Sequence, residues 1–185
     1  MSGPNFSTSR FDLIMADPPW SFKTYSAKGL KKSAQAKYSC MTLDDIRSLP
    51  VADLAADDCL LWLWATNPML PQALDCMEAW GFTYKTAGTW VKMTKHGKIG
   101  FGTGYILRSA NEPFLIGTRG KPKTTRGVRS AIHGLVREHS RKPDEAFREA
   151  ERLMPDAQRI ELFSRTNRDG WQTWGNQSGM WSAAA

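Results

Sequence analysis

Apolar positions gather in five short runs along the chain, each bounded by polar or turn-forming residues. Phe11–Ala16 stops at Asp-Pro-Pro and reads as a buried strand. Cys59–Ala65 (CLLWLWA) is apolar at every position, as a strand covered on both faces must be. Thr83–Met93, Glu112–Thr118 (EPFLIGT) and Arg159–Phe163 (RIELF) complete the predicted strands. Three helical patterns lie between them. Thr42-Leu-Asp-Asp45 offers an N-cap followed by acids in a first turn, leading through Ile46 and Leu49 to Pro50. Pro68–Trp80 has helical spacing, with Leu70, Leu74, Met77 and Trp80 expected in the core and Gly81 as its C-cap. Pro143-Asp-Glu145 opens a helix to Leu153, with proline at its first position and acids in its first turn. Strands alternating with helices predict an α/β fold with a largely parallel sheet. Ligands of such sheets bind beyond the carboxyl ends of the strands.

The intervening segments carry much of the charge. Ser21–Lys37 holds five lysines and no acid, and Arg119–Lys142 holds eight Lys or Arg against the single acid Glu138. Thr94–Gly104 is rich in Gly and Lys and reads as a mobile loop; Asn167–Trp181 reads as a turn-rich tail. The net charge of +7 and pI near 9.5 favour a polyanionic partner. A length of 185 residues predicts one domain over residues 1–185, with long basic loops at 21–41, 92–104 and 119–142. Cys40, Cys59 and Cys76 have neither zinc-ligand spacing nor an even count, which argues against a zinc site or a disulfide framework and for a reducing compartment. His96, His133 and His139 share no spacing, so none reads as a metal ligand or general base. The leading MSGPNFSTSR has no apolar core, predicting no signal peptide. Leu60–Ala65 is too short to cross a membrane. The expectation is a cytoplasmic, metal-free protein.

Asp17-Pro18-Pro19-Trp20, directly after the first strand, suits one chemistry well. The carboxylate of Asp17 can accept a hydrogen bond from an exocyclic amine. The Pro18 carbonyl can accept a second, because the proline that follows has no N–H and a fixed φ. Trp20 is expected to offer a stacking face. Such a set orients an amine on a nucleobase for transfer of a group to its nitrogen. A turn that merely caps a strand is the plainer reading of Asp-Pro alone.

The tetrad stands first in an ordered series: Tyr38-Ser-Cys-Met41, Leu61-Trp-Leu-Trp-Ala65, Gly102-Thr-Gly-Tyr105, Lys142-Pro-Asp-Glu145, Ile160-Glu-Leu-Phe163 and Gly175-Asn-Gln177. Over roughly residues 11–178 this series closely resembles the MT-A70 family of S-adenosylmethionine-dependent adenine N6-methyltransferases. The resemblance implies a Rossmann-like class I methyltransferase sheet with helices on both faces and permuted motif order: the catalytic motif is early and the cofactor strand late. It implies Asp17, Pro18, Pro19 and Trp20 as the catalytic tetrad, and S-adenosylmethionine as cofactor with S-adenosylhomocysteine as product. Cofactor contacts are implied for Asp17, Lys142, Glu161, Phe163, Arg165, Asn167, Asn176 and Gln177. Tyr38 matches a tyrosine near the acceptor base. In this family an arginine is followed by a His-Asn pair; here the run is Arg165-Thr-Asn167-Arg168, which leaves Asn167 or Arg168 for the ribose contacts.

Trp20 and the basic residues Lys31, Lys32, Arg126 and Arg129 are expected to meet the nucleic-acid substrate, the three basic runs flanking one catalytic face as a phosphate-backbone groove. A duplex target adenine must then be flipped out to reach Asp17. The expected function is methyl transfer to the N6 amine of adenine in DNA, of the compact bacterial or phage type. The same reaction on RNA, or a non-catalytic nucleic-acid-binding subunit, remain the alternatives. The resemblance implies a monomer, a homodimer or a paired subunit, since all three occur among such proteins.

Overall fold

Residues 10–20, 41–104, 106–138, 141–175 and 181–182 are described by the computed structural model. The chain opens with β1 (Phe11–Ala16), then α1 (Leu43–Arg47), α2 (Val51–Leu54) and β2 (Ala55–Trp64). A short 3₁₀ turn at Asn67–Met69 leads into α3 (Leu70–Ala79), followed by β3 (Thr83–Met93), β4 (Asn111–Arg119) and β5 (Ala131–Leu135). The last helix, α4 (Asp144–Leu153), precedes β6 (Arg159–Leu162), β7 (Thr166–Asn167), β8 (Trp171–Trp174) and β9 (Trp181–Ser182).

Seven strands form one sheet in the order β5-β3-β4-β2-β1-β6-β8, while β7 and β9 pair separately. The pairs β1–β2, β1–β6, β6–β8 and β3–β5 are parallel; β2–β4 and β3–β4 are antiparallel. Only β4 therefore runs against the other six. The largely parallel α/β expectation holds, with this one reversal.

The period-two alternation of the strands divides the apolar side chains between two cores. On one face Ile14, Ala16, Leu61, Leu63, Leu115, Ile160 and Leu162 pack against Ile46, Val51, Leu54, Ala73, Cys76, Met77 and Trp80 from α1, α2 and α3. On the other, Leu13, Met15, Leu60, Trp62, Trp64, Phe114 and Ile116 pack against Ala146, Phe147 and Ala150 of α4. Helices on both faces explain why β2 is apolar at consecutive positions. Thr42 caps α1 reciprocally: its hydroxyl accepts from Asp45 N–H at 3.1 Å, and the Asp45 carboxylate accepts from Thr42 N–H at 3.3 Å. In α3 the inward row is Ala73, Cys76, Met77 and Trp80. Leu74, expected in the core, is one step off that row and 40% exposed.

Three expectations about the irregular segments are corrected. The connector 119–142 contains β5, whose Ile132 and Gly134 face inward while Ala131, His133 and Leu135 do not. The tail contains β8, which extends the sheet beyond β6. The segment 94–104, read as a mobile loop, folds back on β3: Thr94 N–H donates to Lys98 O at 2.8 Å, and Gly100 N–H to Lys92 O at 2.6 Å.

The reversal of β4 sends the chain from Arg119 to the amino-terminal pole of the parallel strands. β5 then carries it back toward the carboxyl-terminal pole and delivers residues 136–142 there. This return is seated by Gly134. Its carbonyl accepts from the Trp90 indole at 2.9 Å, and a Cβ at this position would lie 2.5 Å from Pro143 Cβ. Gly134→Ala should therefore lower stability by about 1–3 kcal/mol, the usual cost of overpacking. Denaturant unfolding measures this; an unchanged midpoint would mean that Pro143 does not rest on β5.

Candidate active site

β1 and β6 are neighbours, but the chain leaves β1 toward β2 and β6 toward β8, in opposite directions. Such a switch point opens a crevice at the carboxyl ends of the two strands, where open α/β sheets bind ligands. An open cleft lies there, enclosing about 350 Å³ that is continuous with solvent. Asp17 lines it from β1. Glu161, Phe163, Arg165, Thr166 and Arg168 line it from β6 and the turn beyond, and Arg141, Lys142 and Phe147 from the connector and α4.

A chain of alternating charges fixes Asp17. Lys142 Nζ lies 2.8 Å from Asp17 Oδ2 and 2.6 Å from Glu112 Oε1, and Glu112 Oε2 lies 2.9 Å from Lys92 Nζ. Glu112 reaches this pole because β4 is reversed, so that its start rather than its end is beside the end of β2. Burial opposes the charge on Lys142, but the two carboxylates more than offset it and hold the ammonium above the ordinary lysine range. Glu112 is likewise disfavoured by burial, yet Lys142 and Lys92 bring it down to about 2. Burial raises Asp17, Lys142 pulling the other way and Glu112 adding to the rise. The Trp64 ring lies 5.3 Å from Lys142 Nζ, a further favourable contact for the cation.

Lys142 owes its position to the turn into α4. Arg137 donates to Lys142 O at 3.2 Å and to Asp144 Oδ2 at 2.6 Å. Asp144 Oδ1 accepts from Arg168 at 2.7 Å, so this first-turn acid clamps the connector to the turn after β6. Burial works against its charge, but the two guanidinium groups hold Asp144 below the usual carboxylate range. Arg168 Cζ also lies 3.9 Å from the centre of the Phe147 ring, and its Nε is buried with no protein partner among the described residues.

The Asp-Pro-Pro-Trp turn is tight. Trp20 N–H donates to Pro18 O at 2.8 Å, closing a three-residue turn on Pro19. The Pro18 carbonyl keeps a second lone pair. Trp20 itself is a correction. Its ring is 4% exposed within the core, and its indole N–H donates to Trp64 O at 2.9 Å. A buried indole needs such a partner, so Trp20 bolts the turn to the end of β2 and presents no open stacking face.

Past β6, Phe163 has φ +63, and the Ser164 N–H donates to Trp174 O at 3.0 Å. Ser164 Oγ lies 2.7 Å from both Glu161 Oε2 and Thr166 O. One hydroxyl proton serves only one of these acceptors. When it goes to Thr166, Glu161 must itself carry a proton to bond Ser164. Burial pushes the Glu161 carboxyl up to about 7, in agreement with that count, while Ser164 and Arg168 act against the shift.

Of the residues singled out from the sequence, Asp17, Lys142, Glu161, Phe163 and Arg165 meet at this cleft, and Pro18 and Pro19 shape the turn beside it. Asn167 does not line it; its side chain accepts from Thr173 Oγ1 at 3.3 Å, and Arg168 stands in the cleft instead. Tyr38, Lys31, Lys32, Asn176 and Gln177 lie outside the described residues. The single groove expected from three basic runs is corrected for the third. Arg126 lies at the opposite pole, between Thr125, bonded to Leu153 O, and Gly127, bonded to Arg152. Arg129 precedes β5 at the sheet edge, four strands from β1. Sequence reasoning missed Glu112, Lys92, Arg141 and Phe147. Glu112 had a signal: it is the only acid between Glu78 and Glu138.

The MT-A70 family profile matches residues 11–177. A type II methyltransferase of a Mycoplasma species, M.MunI, is 32% identical over 192 residues, covering 93% of this chain and 79% of that protein. An MT-A70-like N(6)-adenosine-methyltransferase of Arabidopsis thaliana is 35% identical, and the human N(6)-adenosine-methyltransferase catalytic subunit METTL3 is 33% identical. The match covers 90% and 91% of this chain, but only 24% and 28% of those two longer proteins.

Glu161 generates a pH prediction. Its folded value of about 7 lies above the ordinary 4.5, so the folded state holds a proton that the unfolded state has released between these values. Stability should therefore fall as pH rises through that window, by on the order of 3 kcal/mol in full. Glu161→Gln should flatten the decline. Unfolding free energies across pH 4.5–8 test this, and parallel curves for the two proteins would refute it.

Proposed function

This chain belongs to the MT-A70 family, and we propose that it transfers a methyl group from S-adenosylmethionine to the N6 amine of adenine in DNA, as one catalytic domain. The observation that carries the reading is Asp17: a carboxylate at the switch point of the sheet, held in place by a buried lysine. The DNA reading draws on length. The relative matched over 79% of its own chain is a type II methyltransferase, whereas the adenosine methyltransferases are matched over about a quarter of theirs.

The cleft residues fit the cofactor chemically. Asp17 and Glu161 suit its cationic groups, the guanidinium groups of Arg165 and Arg168 suit its carboxylate, and the unpaired Arg168 Nε is a donor in want of an acceptor. Asn176 and Gln177 join this set by their motif positions. When bound, S-adenosylmethionine supplies an electrophilic methyl and a neutral thioether as leaving group, so no Lewis acid is required of the protein.

The chain's own part is orientation. The adenine amine is a weak nucleophile because its lone pair is delocalised into the ring. Asp17 accepts a hydrogen bond from one N–H and the free lone pair of Pro18 O from the other, favouring a tetrahedral nitrogen aimed at the methyl; as the methyl–sulfur bond breaks and the nitrogen–methyl bond forms, the nitrogen gives up one proton to solvent. Alignment of this kind supplies a large part of a rate enhancement. Lys142 opposes the rise that burial imposes on Asp17 and holds its carboxyl in place; Glu112, itself held charged by Lys92, keeps Lys142 charged and placed. Tyr38 is assigned to the acceptor base by its motif. A base in a duplex must swing out to reach Asp17.

Asp17→Ala should lower transfer at least about 100-fold, the scale for loss of one transition-state contact, without unfolding the protein. Glu112→Gln, which leaves Lys142 with Asp17 alone, should lower kcat more than the KM for nucleic acid. Transfer of labelled methyl to single-stranded DNA, duplex DNA and RNA tests both variants beside the wild type. Label on RNA alone would move the reading to RNA. Cofactor binding with no transfer to any substrate would favour a non-catalytic subunit.

A further inference from the structure

We propose that residues 121–129 form a second contact for the phosphate backbone of a nucleic-acid duplex, at the far pole of the sheet from Asp17. The proposal rests on the reading of the chain as a nucleic-acid methyltransferase. It starts from the reversal of β4, which deposits this basic segment where the catalytic cleft is not.

The segment is held as a platform. Gly120 at φ +61 turns the chain tightly against β2; a Cβ there would lie 2.3 Å from Asp57 O. Lys121 N–H donates to Asp58 Oδ1 at 2.7 Å, so this carboxylate is bonded to backbone rather than to a cation. Thr125 then docks on the end of α4. Its N–H donates to Leu153 O at 2.9 Å and its hydroxyl to Arg152 O at 2.8 Å, satisfying helix carbonyls that have no partner within the helix. Arg152 returns a bond to Gly127 O at 3.4 Å.

With the backbone tied down, four cations point outward. Lys121, Lys123, Arg126 and Arg129 are all exposed. Among the described residues none of their charged groups forms an ion pair or hydrogen bond, unlike Arg137, Arg148, Arg152 and Arg168. No acid occurs from Gly120 to Arg137. The row also has no aromatic residue and no exposed large apolar one, so it offers neither a base-stacking surface nor the anchor of a protein interface. Rigid backbone with unpaired cations two or three residues apart is what a sequence-independent phosphate contact requires.

The spacing suits one continuous duplex. α4 runs from the cleft at Asp144 to the platform at Leu153, about 15 Å by helix rise. That is less than one duplex turn of about 34 Å. A duplex with its target adenine at Asp17 reaches the platform only when it extends beyond the target on that side. Affinity should then depend on length, the second contact adding to the first through effective concentration.

The test is fluorescence anisotropy with a hairpin stem of about 4 base pairs, too short to span from Asp17 to the platform, and a duplex of about 40 base pairs, across a salt series. The proteins are the wild type, a variant with Lys121, Lys123, Arg126 and Arg129 all changed to Glu, and one with all four changed to Gln. For the wild type, affinity should rise with length beyond the number of added sites, with a steeper salt slope on the long duplex. Both variants should lose this excess: the long-duplex Kd should weaken about tenfold or more and the slope fall by roughly 2–4, near 0.9 per lost phosphate contact. Their melting temperatures and S-adenosylhomocysteine affinity should match the wild type, which separates lost contact from lost fold. Wild-type affinity and slope in both variants, with binding and transfer otherwise intact, would overturn this proposal alone. A wild type that binds no nucleic acid at either length would overturn the functional reading with it.

Discussion

The buried ammonium of Lys142 is the interaction on which the site depends. It draws one carboxylate from the end of β1 and another from the start of β4, two strands separated by β2. Neither attraction need add much to net stability, because desolvating three charges consumes most of the Coulombic gain. What the cluster supplies is geometry. An unpaired charge at 8% exposure is expensive, so the connector must place Lys142 between the two acids. The devices that do this are all local: Pro143 resting on Gly134, Arg137 on the Lys142 carbonyl, and Asp144 between Arg137 and Arg168. A basic connector thus becomes a catalytic-site element through a lysine whose charge is fully matched, while its Lys121, Lys123, Arg126 and Arg129 stay in water.

The second constraint is the direction of β4. In an all-parallel sheet, the residues following each strand would collect at one pole. Reversing one strand exchanges its ends: Glu112 arrives at the cleft, and Arg119 and the basic run after it leave. β5 is the return path. The same reversal accounts for the acid that the site needs and for the cations that the site does not contain, and it divides the positive charge of the molecule between two poles.

Much of this was legible in the sequence because it rests on local chemistry. The buried strands announced themselves as apolar runs, Thr42 and Asp45 as a cap, and Gly81 as a helix end. The ordered motifs marked Asp17, Lys142, Glu161, Phe163 and Arg165. What stayed hidden was set by long-range pairing. β5 (AIHGL) carries a glycine and lies in a basic stretch, so nothing but its pairing to β3 makes it a strand. β8 (WQTW) looks like turn until β6 offers it an edge. The direction of β4 has no signature in its own residues, and with it went the placement of Glu112 and Arg126. Trp20 misled for a related reason: an aromatic beside a catalytic acid suggests stacking, but the Trp64 carbonyl left free at the end of β2 claims its indole.

The turn after β6 shows how the crevice is built without a glycine-rich loop. A chain that must bend sharply at a strand end commonly uses glycine for its positive φ. Here Phe163 takes φ +63 instead, at a cost of about 1–2 kcal/mol. Its surroundings offset that cost. The Phe163 ring meets Trp174 edge to face at 5.5 Å, Ser164 N–H is bound by the Trp174 carbonyl, and Gly175 lets β8 approach so closely that a Cβ there would lie 2.6 Å from Ser164 O. The glycine sits instead just past the strand that braces the turn. An aromatic ring thereby stands at the mouth of the cleft where a glycine loop would leave bare backbone. The same bend turns Ser164 back onto Glu161, so the carboxyl whose proton responds to pH near 7 is bonded to the neighbour of the strained Phe163.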